Sequence, residues 1–205
     1  VEGFAFPYGD VAVLNQSWSW RNVPYVVAQN TGAFLEIPSL LEESHTVSSR
    51  EDAEAYLDRL VAYAAQIDGE TGRLKSAAEQ GVIAPDFLLD KTIAQIRLAQ
   101  RGAAADWPIV ASFAKKTQGL PGDFAAHAAK IAADRIGPAL ARQTVELEAH
   151  SSRANSDAGV WKLPQGEAYY AWALRAATTT RMTPQEIHER GQHELAELQA
   201  QMDTI

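Results

Sequence analysis

The stretch from residue 49 to residue 81 constrains the fold more than any other part of this sequence. Its apolar residues recur every three or four positions, which places them on one face of an α-helix. These residues are Ala53, Leu57, Leu60, Ala64, Ile67 and Leu74. Ser48 or Ser49 can cap the start of the helix, and the acidic residues at positions 51 and 52 place negative charge on its first turn. Gly69 and Gly72 predict a kink or a break in the middle, and Gly81 predicts its end.

Proline and glycine divide the residues that follow into further helices. One is predicted to have Pro85 in its first turn and Gly102 beyond its end, and a short one to open at Asp106-Trp107-Pro108 and to stop at Gly119. A longer run covers residues 123–154, in which Gly137-Pro138 predicts an interruption, because proline lacks the backbone donor and clashes with the preceding turn. The pattern therefore predicts a mainly α protein: a multi-helix array with long helices and at most one or two short strands.

The first 48 residues lack a sustained period and predict an irregular, loop-rich lead-in. Residues 18–20 and residues 25–28 are candidates for short strands, and residues 38–43 for a short helix. Residues 49–205 predict a helical domain. The sequence begins with Val1, and its last segment contains no residue that would stop a helix, so we interpret the chain as a piece of a longer protein whose helical domain continues past residue 205.

Charge and composition exclude several classes of function. The net charge is −8 with 18 Lys and Arg residues, which argues against nucleic-acid binding, since that depends on basic residues that neutralise phosphates. No apolar run approaches the length of a membrane helix, so no membrane span is predicted. The chain has no cysteine, which excludes disulfides, thiolate metal sites and cysteine nucleophiles. It also lacks the motifs of serine hydrolases, phosphate loops and dinucleotide-binding folds, and no residue is assigned a catalytic role.

Residues 159–191 combine several local signals in a short space. Residues 160–163 alternate weakly and predict an edge strand, and Gly166 opens a helix that the β-branched residues 178–180 end. Thr183 then begins another helix, with proline at its first position and Glu186 placed to complete a capping box. Four residues are predicted to follow its buried side: Ile187, Leu195, Leu198 and Met202.

The two histidines of this last helix resemble a zinc-protease motif but have the wrong spacing. His188 and His193 are five residues apart, so on a helix they diverge by about 140° and cannot both bind one ion. Two Glu-x-x-x-His pairs, Glu146/His150 and Glu189/His193, have a spacing of four, whereas helical di-metal sites use three. The preferred interpretation is therefore exposed helix-stabilising pairs, with no metal bound by this chain.

An aromatic cluster precedes that helix. Tyr169, Tyr170, Trp172 and Trp161 are typical of core packing. Adjacent residues on a helix point about 100° apart, however, so at least one of the two tyrosines is predicted to leave the direction of the core. A phenol that faces a cleft and donates to a substrate carbonyl is the alternative.

Two motifs in this region carry a resemblance to a known family. The run Leu163-Pro-Gln-Gly-Glu-Ala-Tyr-Tyr170 and the later Met182-Thr-Pro-Gln-Glu-Ile-His188 resemble the bacterial DUF885 family. Upstream segments at residues 29–32, 51–57 and 81–85 are similar too, so that the resemblance covers most of the chain from about Tyr25. It implies a fold like the N-terminal and middle part of the helical gluzincin peptidases, with a cleft between two largely helical halves.

The resemblance also implies a function for the intact protein. Members look like zinc metallopeptidases, often secreted or lipid-anchored, which implies a periplasmic or external location and leaves the cytoplasm open. Their zinc-binding segment is expected past residue 205. This chain would then supply scaffold and cleft wall to a zinc-dependent peptidase for short peptides. Its partners would be the remaining C-terminal portion and the peptide. Gly166, Tyr169, Tyr170 and His188 are carried over as cleft residues. The alternative is a non-catalytic helical interaction or scaffold module.

Overall fold

A computed structural model of the chain describes residues 24–203. Pro24–Ala158 forms one compact unit, called the first unit below. The described residues from 159 to 203 belong to a second unit. Helices dominate the described residues of both units, and no strand is present among them, so the prediction of a mainly α protein is confirmed. The predicted domain boundary at residue 48 stays a prediction.

The first unit contains six α-helices. In chain order they are α1 (Ala33–Ser39), α2 (Arg50–Glu79), α3 (Asp86–Ala99), α4 (Pro108–Lys116), α5 (Phe124–Ile131) and α6 (Gly137–Ser151). Two π-helical turns extend this set, Leu40–Ser44 directly after α1 and Ala132–Ile136 between α5 and α6. A 3₁₀ turn at Ala104–Asp106 precedes α4. The second unit contains a 3₁₀ turn at Val160–Lys162, then α7 (Gly166–Thr178) and α8 (Pro184–Met202).

The predicted stripe of α2 forms the centre of the first unit. Ser49 caps the helix in a capping box: its hydroxyl accepts from the Asp52 N–H at 3.1 Å, and the Asp52 carboxylate accepts from the Ser49 N–H at 3.0 Å. Five of the six stripe residues, all except the half-buried Leu57, are buried. The helix α6 packs against both α2 and α3 and closes the core.

The predicted break at Gly69 and Gly72 is wrong, because α2 runs without interruption for 30 residues. A glycine within a helix costs roughly 1 kcal/mol relative to alanine. Ile67 and Leu74, on either side of the two glycines, are buried in the core. Burying a side chain of this kind stabilises by about 1.5–3 kcal/mol, which is enough to carry the helix through both glycines.

Gly137-Pro138 interrupts the helix hydrogen bonding as predicted, but the chain stays helical through it. The π-helical turn Ala132–Ile136 precedes the dipeptide, and Pro138 then lies in the first turn of α6, where its missing donor is not needed. Gly137 also allows a close approach, since a Cβ atom there would lie 3.2 Å from the Trp107 ring. The interruption is therefore a local change of helix type.

Three local predictions need correction, and a fourth lies outside the described residues. Residues 25–28 form no strand, and Ala28 makes an isolated bridge with Thr31 across a tight turn instead. Residues 160–163 form no edge strand, because the 3₁₀ turn at Val160–Lys162 is closed by the Leu163 N–H donating to the Val160 carbonyl at 3.0 Å. The short helix predicted over residues 38–43 begins earlier, at Ala33, and ends as a π-turn. The strand candidate at residues 18–20 lies outside the described residues.

Candidate functional site

Gly166 begins α7 at a point where two backbone segments come very close. A Cβ atom on this residue would lie 1.9 Å from the Val160 carbonyl oxygen, which no side chain can accommodate. The Gly166 N–H donates to the Leu163 carbonyl at 2.9 Å, so the 3₁₀ turn folds directly onto the start of the helix. Gly166 is buried, and its role in this unit is to permit that contact.

The two adjacent tyrosines diverge as predicted. Tyr169 is 2% exposed and its ring lies 5.5 Å from the ring of Trp172, which is also buried. Tyr170 is 47% exposed, and Trp161 is also exposed. The aromatic cluster therefore splits into a buried pair and two surface rings, and Tyr170 is the tyrosine that can meet a molecule from outside.

Non-glycine residues in the left-handed region flank α7 at both ends. Gln165 precedes the helix with φ 57°, and Thr179 follows it with φ 56°. The left-handed region disfavours L-residues, and a β-branched residue such as threonine is a marked outlier there. The predicted end of the helix in the threonine run is confirmed, and it takes the form of a left-handed residue where glycine is the usual choice.

The helix α8 starts as the sequence predicts. The Thr183 hydroxyl accepts from the Glu186 N–H at 3.2 Å, and the Glu186 carboxylate accepts from the Thr183 N–H at 2.7 Å. The helix is continuous through His188 and His193, so their rings keep the divergence that excludes a shared ion. His188 is exposed beside Gln192, with 2.9 Å between the two Nε2 atoms, and His193 pairs with Glu197 at 3.3 Å.

The predicted buried side of α8 is wrong for the described structure. None of its residues is buried. Leu195, Leu198 and Met202 are 67%, 56% and 67% exposed, and Ile187 is half-buried. At 100° per residue these four positions fall within an arc of about 80°, so they form one narrow apolar stripe. We call these four residues the α8 stripe.

The four predicted cleft residues thus fall into two kinds. Gly166 and Tyr169 are buried, whereas Tyr170 and His188 are exposed. No hydrogen bond or ring contact joins Tyr170 to His188 among the described residues. A shared role in a cleft stays a prediction for all four. Within residues 24–203 no group of three His, Asp or Glu side chains is placed to hold a metal ion. No described helix is both long enough and apolar enough to span a bilayer.

Comparison with known families gives a match over nearly the whole chain. The family described as "Bacterial protein of unknown function (DUF885)" matches residues 9–205. The chain belongs to the DUF885 family. The resemblance carried by the two motifs of residues 163–188 is thereby confirmed at the level of the family. No curated protein matches the chain.

A solved structure shares the fold of this DUF885 chain. It is described as "the putative lipoprotein from Colwellia psychrerythraea", with a TM-score of 0.80 and 22% sequence identity. The match covers 87% of this chain but 32% of that protein, so the DUF885 chain spans about a third of the length of its structural neighbour.

The first unit contains polar contacts that sequence reasoning missed. The buried carboxylate of Glu70 accepts from the Ala33 N–H, at 3.0 Å to each oxygen, and so holds the start of α1. Burial raises the pKa of Glu70, an effect that the Ala33 hydrogen bond, Arg73 and Gln143 oppose. A signal for this residue was present in the sequence, because position 70 follows Ile67 by three and lies on the apolar face of α2.

Lys116 holds the end of the π-helical turn Leu40–Ser44, which directly follows α1. Its ammonium donates to the carbonyls of Leu41, Glu42 and His45 at 2.9, 2.7 and 2.7 Å. An ammonium has three donors, and all three are used here on carbonyls at the end of a helical turn, where a positive charge is favourable. No local pattern in the sequence indicates this contact, since Lys116 lies more than 70 residues away from its acceptors.

The Glu146/His150 pair also differs from its prediction. The two side chains do meet, with the His150 Nε2 and the Glu146 Oε1 3.1 Å apart. His150 is however only 3% exposed, so the pair is partly buried and not a surface pair. Burial lowers the pKa of His150, and the nearby carboxylate of Glu146 opposes that effect. The pair therefore lies at the last turn of α6, where the His150 side chain is buried.

Proposed function

We propose that this chain is the scaffold and cleft-wall portion of a larger DUF885 protein, a zinc-dependent peptidase that acts on short peptides. The proposal rests on the resemblance to helical gluzincin-like peptidases that the motifs of residues 163–188 carry. Zinc would be held by residues outside this chain, where it would supply the Lewis acid that activates water for hydrolysis. The residues of this chain would shape the substrate cleft and orient the peptide, and they would not bind the metal.

The α8 stripe is the structural observation that supports the scaffold part of this proposal. A helix with a narrow apolar stripe normally buries it against another element. Here three of its four residues are exposed and Ile187 is half-buried, whereas the structural neighbour is about three times as long as the matched region. We therefore propose that the remaining C-terminal portion of the complete protein packs on the α8 stripe. That contact would bring the metal-binding part next to the unit that carries Tyr170 and His188.

Tyr170 and His188 are the residues of this chain that we assign to the peptide. Both are exposed, and a phenol can donate a hydrogen bond to a substrate carbonyl. Gly166 and Tyr169, which are buried, would support them by fixing the start of α7 and the direction of the Tyr170 ring. The chain would thus contribute positioning groups for the substrate.

The test uses the complete protein. We expect stoichiometric zinc and cleavage of short peptides that a chelator abolishes and added zinc restores. We expect Tyr170→Phe to lower kcat/KM about tenfold, which is the scale of one lost hydrogen bond in a transition state, and to leave zinc content unchanged. Trp161→Phe, an exposed aromatic in the same unit, is the matched control and should change little. A complete protein that purifies without zinc and cleaves no peptide would contradict the proposal.

The complete protein is proposed to be periplasmic or secreted, with a lipid anchor as one form of attachment. The description of the structural neighbour as a "putative lipoprotein" supports this assignment. Fractionation of the bacterial cells with an antibody against the chain tests it. Recovery of the protein in the periplasmic or membrane fraction is expected, and recovery with cytoplasmic markers would contradict it.

A non-catalytic helical interaction module is the second candidate. The exposed α8 stripe favours it as well, because an amphipathic helix can dock into an apolar groove of a separate protein. The two candidates differ in what Leu198→Glu does. In a peptidase, the substitution weakens packing within the complete protein and lowers its stability. In an interaction module, the complete protein stays equally stable and loses a partner in pull-down experiments.

A further inference from the structure

The first unit contains a cavity of about 270 Å³ that no pattern in the sequence indicates. Its walls come from α1 and the π-turn after it, and from α2, α3, α4 and α6. They are mostly apolar and include Phe34, Ile96, Trp107, Ile109 and Leu140. An apolar cavity of about 150 Å³ engineered into another protein binds benzene, so the volume here is sufficient for a single ring with a short chain. The cavity lies wholly within residues 24–158 and does not depend on the proposed function.

Two carboxylates give the cavity a charge. Glu42 and Glu43 of the π-turn both line it, together with Ser39, which donates to Glu43 at 3.4 Å. No Lys or Arg is among the described residues that line the cavity. Burial raises the pKa of Glu42, with Lys116 opposing that effect and Glu43 adding to it. The chemistry of this wall therefore favours a positively charged group.

Tyr63 adds a hydroxyl to the same cavity. The residue lines the cavity and is 4% exposed. Its hydroxyl has no hydrogen-bond partner within the part of the chain that the structure describes. A hydroxyl on a buried residue beside a cavity is a group with which a ligand can form a hydrogen bond.

The carboxylate wall is held at both ends by charged side chains from distant helices. The carboxylate of Glu70 fixes the start of α1, and the ammonium of Lys116 fixes the end of the π-turn. Between these two contacts lie Ser39, Glu42 and Glu43. A wall that is fixed before a ligand arrives loses little freedom on binding, which is the arrangement that favours affinity.

We propose that this cavity is a binding site for a hydrophobic primary amine. The ring or alkyl body would occupy the apolar space among Phe34, Ile96 and Trp107. The ammonium would face the carboxylates of Glu42 and Glu43, and the Tyr63 hydroxyl would supply a further hydrogen-bonding group.

Calorimetry on the full 205-residue chain with three matched probes tests the charge. The probes are phenethylamine, the neutral 2-phenylethanol and the anionic 3-phenylpropionate. Phenethylamine is expected to bind about tenfold more tightly than 2-phenylethanol, because hydrogen bonds to charged groups are the stronger ones. 3-Phenylpropionate is expected not to bind. Equal affinity of the amine and the alcohol, or binding of the acid, would overturn the proposal.

Two variants locate the binding. Replacing both carboxylates, Glu42→Gln with Glu43→Gln, should lower the affinity for phenethylamine about tenfold and leave that for 2-phenylethanol unchanged. Glu79→Gln, an exposed carboxylate at the end of α2, is the matched control and should have no effect. Ala99→Phe places a ring at the rim of the cavity from an exposed position, so it should block all probes without unfolding the chain. Retention of binding in Ala99→Phe, with a circular dichroism spectrum like that of the parent, would overturn the assignment to this cavity.

The amine could also be the first residue of a peptide, and a fourth probe separates the two sources. Phe-Gly-Gly carries the same ammonium and ring on a chain too large for the cavity. We expect no binding of this peptide. If it bound as tightly as phenethylamine, the site would accept peptide N-termini, and the assignment to a free amine would be wrong.

Discussion

The helices α2 and α8 begin with the same device and end in opposite environments. Ser49 with Asp52 caps α2, and Thr183 with Glu186 caps α8, each through a complete capping box. Yet α2 buries ten of its residues in the core of the first unit, and α8 buries none. The same local code therefore specifies where both helices start, whereas what each helix packs against depends on the rest of the protein.

The apolar patterns of the two helices explain the difference only in part. The stripe of α2 meets α6 and α5 within the first unit. The α8 stripe is equally well formed on the helix but is exposed in the described structure. An apolar stripe thus predicts that a helix has an inner side, and it does not predict which element covers that side. Substitutions at matched positions of the two helices test this contrast.

The largest expected effect is the loss of a core leucine. Leu60→Ala should destabilise the first unit by about 2–5 kcal/mol, because it removes buried surface and leaves a cavity. Leu195→Ala, the matched change in the α8 stripe, should alter the unfolding free energy of the chain by at most about 0.5 kcal/mol. Urea denaturation followed by circular dichroism measures both. A large loss of stability in Leu195→Ala would show that the α8 stripe is already packed in solution.

Glu70 gives the next largest effect. Glu70→Ala leaves the Ala33 N–H without its acceptor at the start of α1, which should cost about 1–3 kcal/mol. Glu70→Gln keeps an acceptor oxygen at the same place and should cost less. Hydrogen exchange at the α1 amides distinguishes the two variants. Equal protection in Glu70→Ala and in the parent would show that α1 does not depend on this contact.

The same residue predicts a dependence of stability on pH. Burial raises the pKa of Glu70 in the folded chain, so the folded state holds a proton that the unfolded state releases first. This contribution to stability is present below the ordinary pKa of a glutamate and is lost as the pH rises through the raised value. Denaturation across that window should therefore show a decline in the parent that is smaller in Glu70→Gln. A steeper decline of stability with rising pH in Glu70→Gln than in the parent would contradict this prediction.

Removing either capping box should have a smaller effect on stability, and the two removals should affect different parts of the molecule. Ser49→Ala and Thr183→Ala each remove one cap, worth about 1 kcal/mol. Because α2 is part of the core, Ser49→Ala should lower the unfolding free energy of the first unit. Thr183→Ala should instead increase hydrogen exchange in the first turn of α8 and leave the first unit unchanged. A loss of stability of the first unit in Thr183→Ala would remove the distinction between the two helices.

The sequence predicted the features that depend on neighbours along the chain. These include a serine cap at the start of α2, the capping box of α8, the buried stripe of α2, the end of α7 in the threonine run and the divergence of Tyr169 from Tyr170. Each follows from helix geometry and from side chains a few residues apart. The same reasoning failed at Gly69 and Gly72, where tertiary packing outweighs a weak local preference.

Features that join distant residues could not be predicted in this way. Lys116 reaches carbonyls more than 70 residues away, and the cavity beside Tyr63 is lined by residues of several helices. The close contact of Gly166 with the Val160 carbonyl turned a predicted strand into a 3₁₀ turn. Among the predicted cleft residues, the helix pattern predicted only that the two tyrosines diverge, and a role for any of them in a cleft stays a prediction.

The smallest expected effect concerns the end of α7. Thr179 adopts φ 56°, where a β-branched residue is strained, so Thr179→Gly should stabilise this end of the helix by roughly 0.5–1 kcal/mol. Thr178→Gly, one residue earlier and still within the helix, should destabilise by a similar amount, since glycine is unfavourable there. Hydrogen exchange at the last turn of α7 measures both the stabilisation in Thr179→Gly and the destabilisation in Thr178→Gly. If both variants were destabilising, the Thr179 side chain would stabilise α7 by more than its backbone strain costs. Packing, and not local preference, would then determine the end of this helix, as it does the centre of α2.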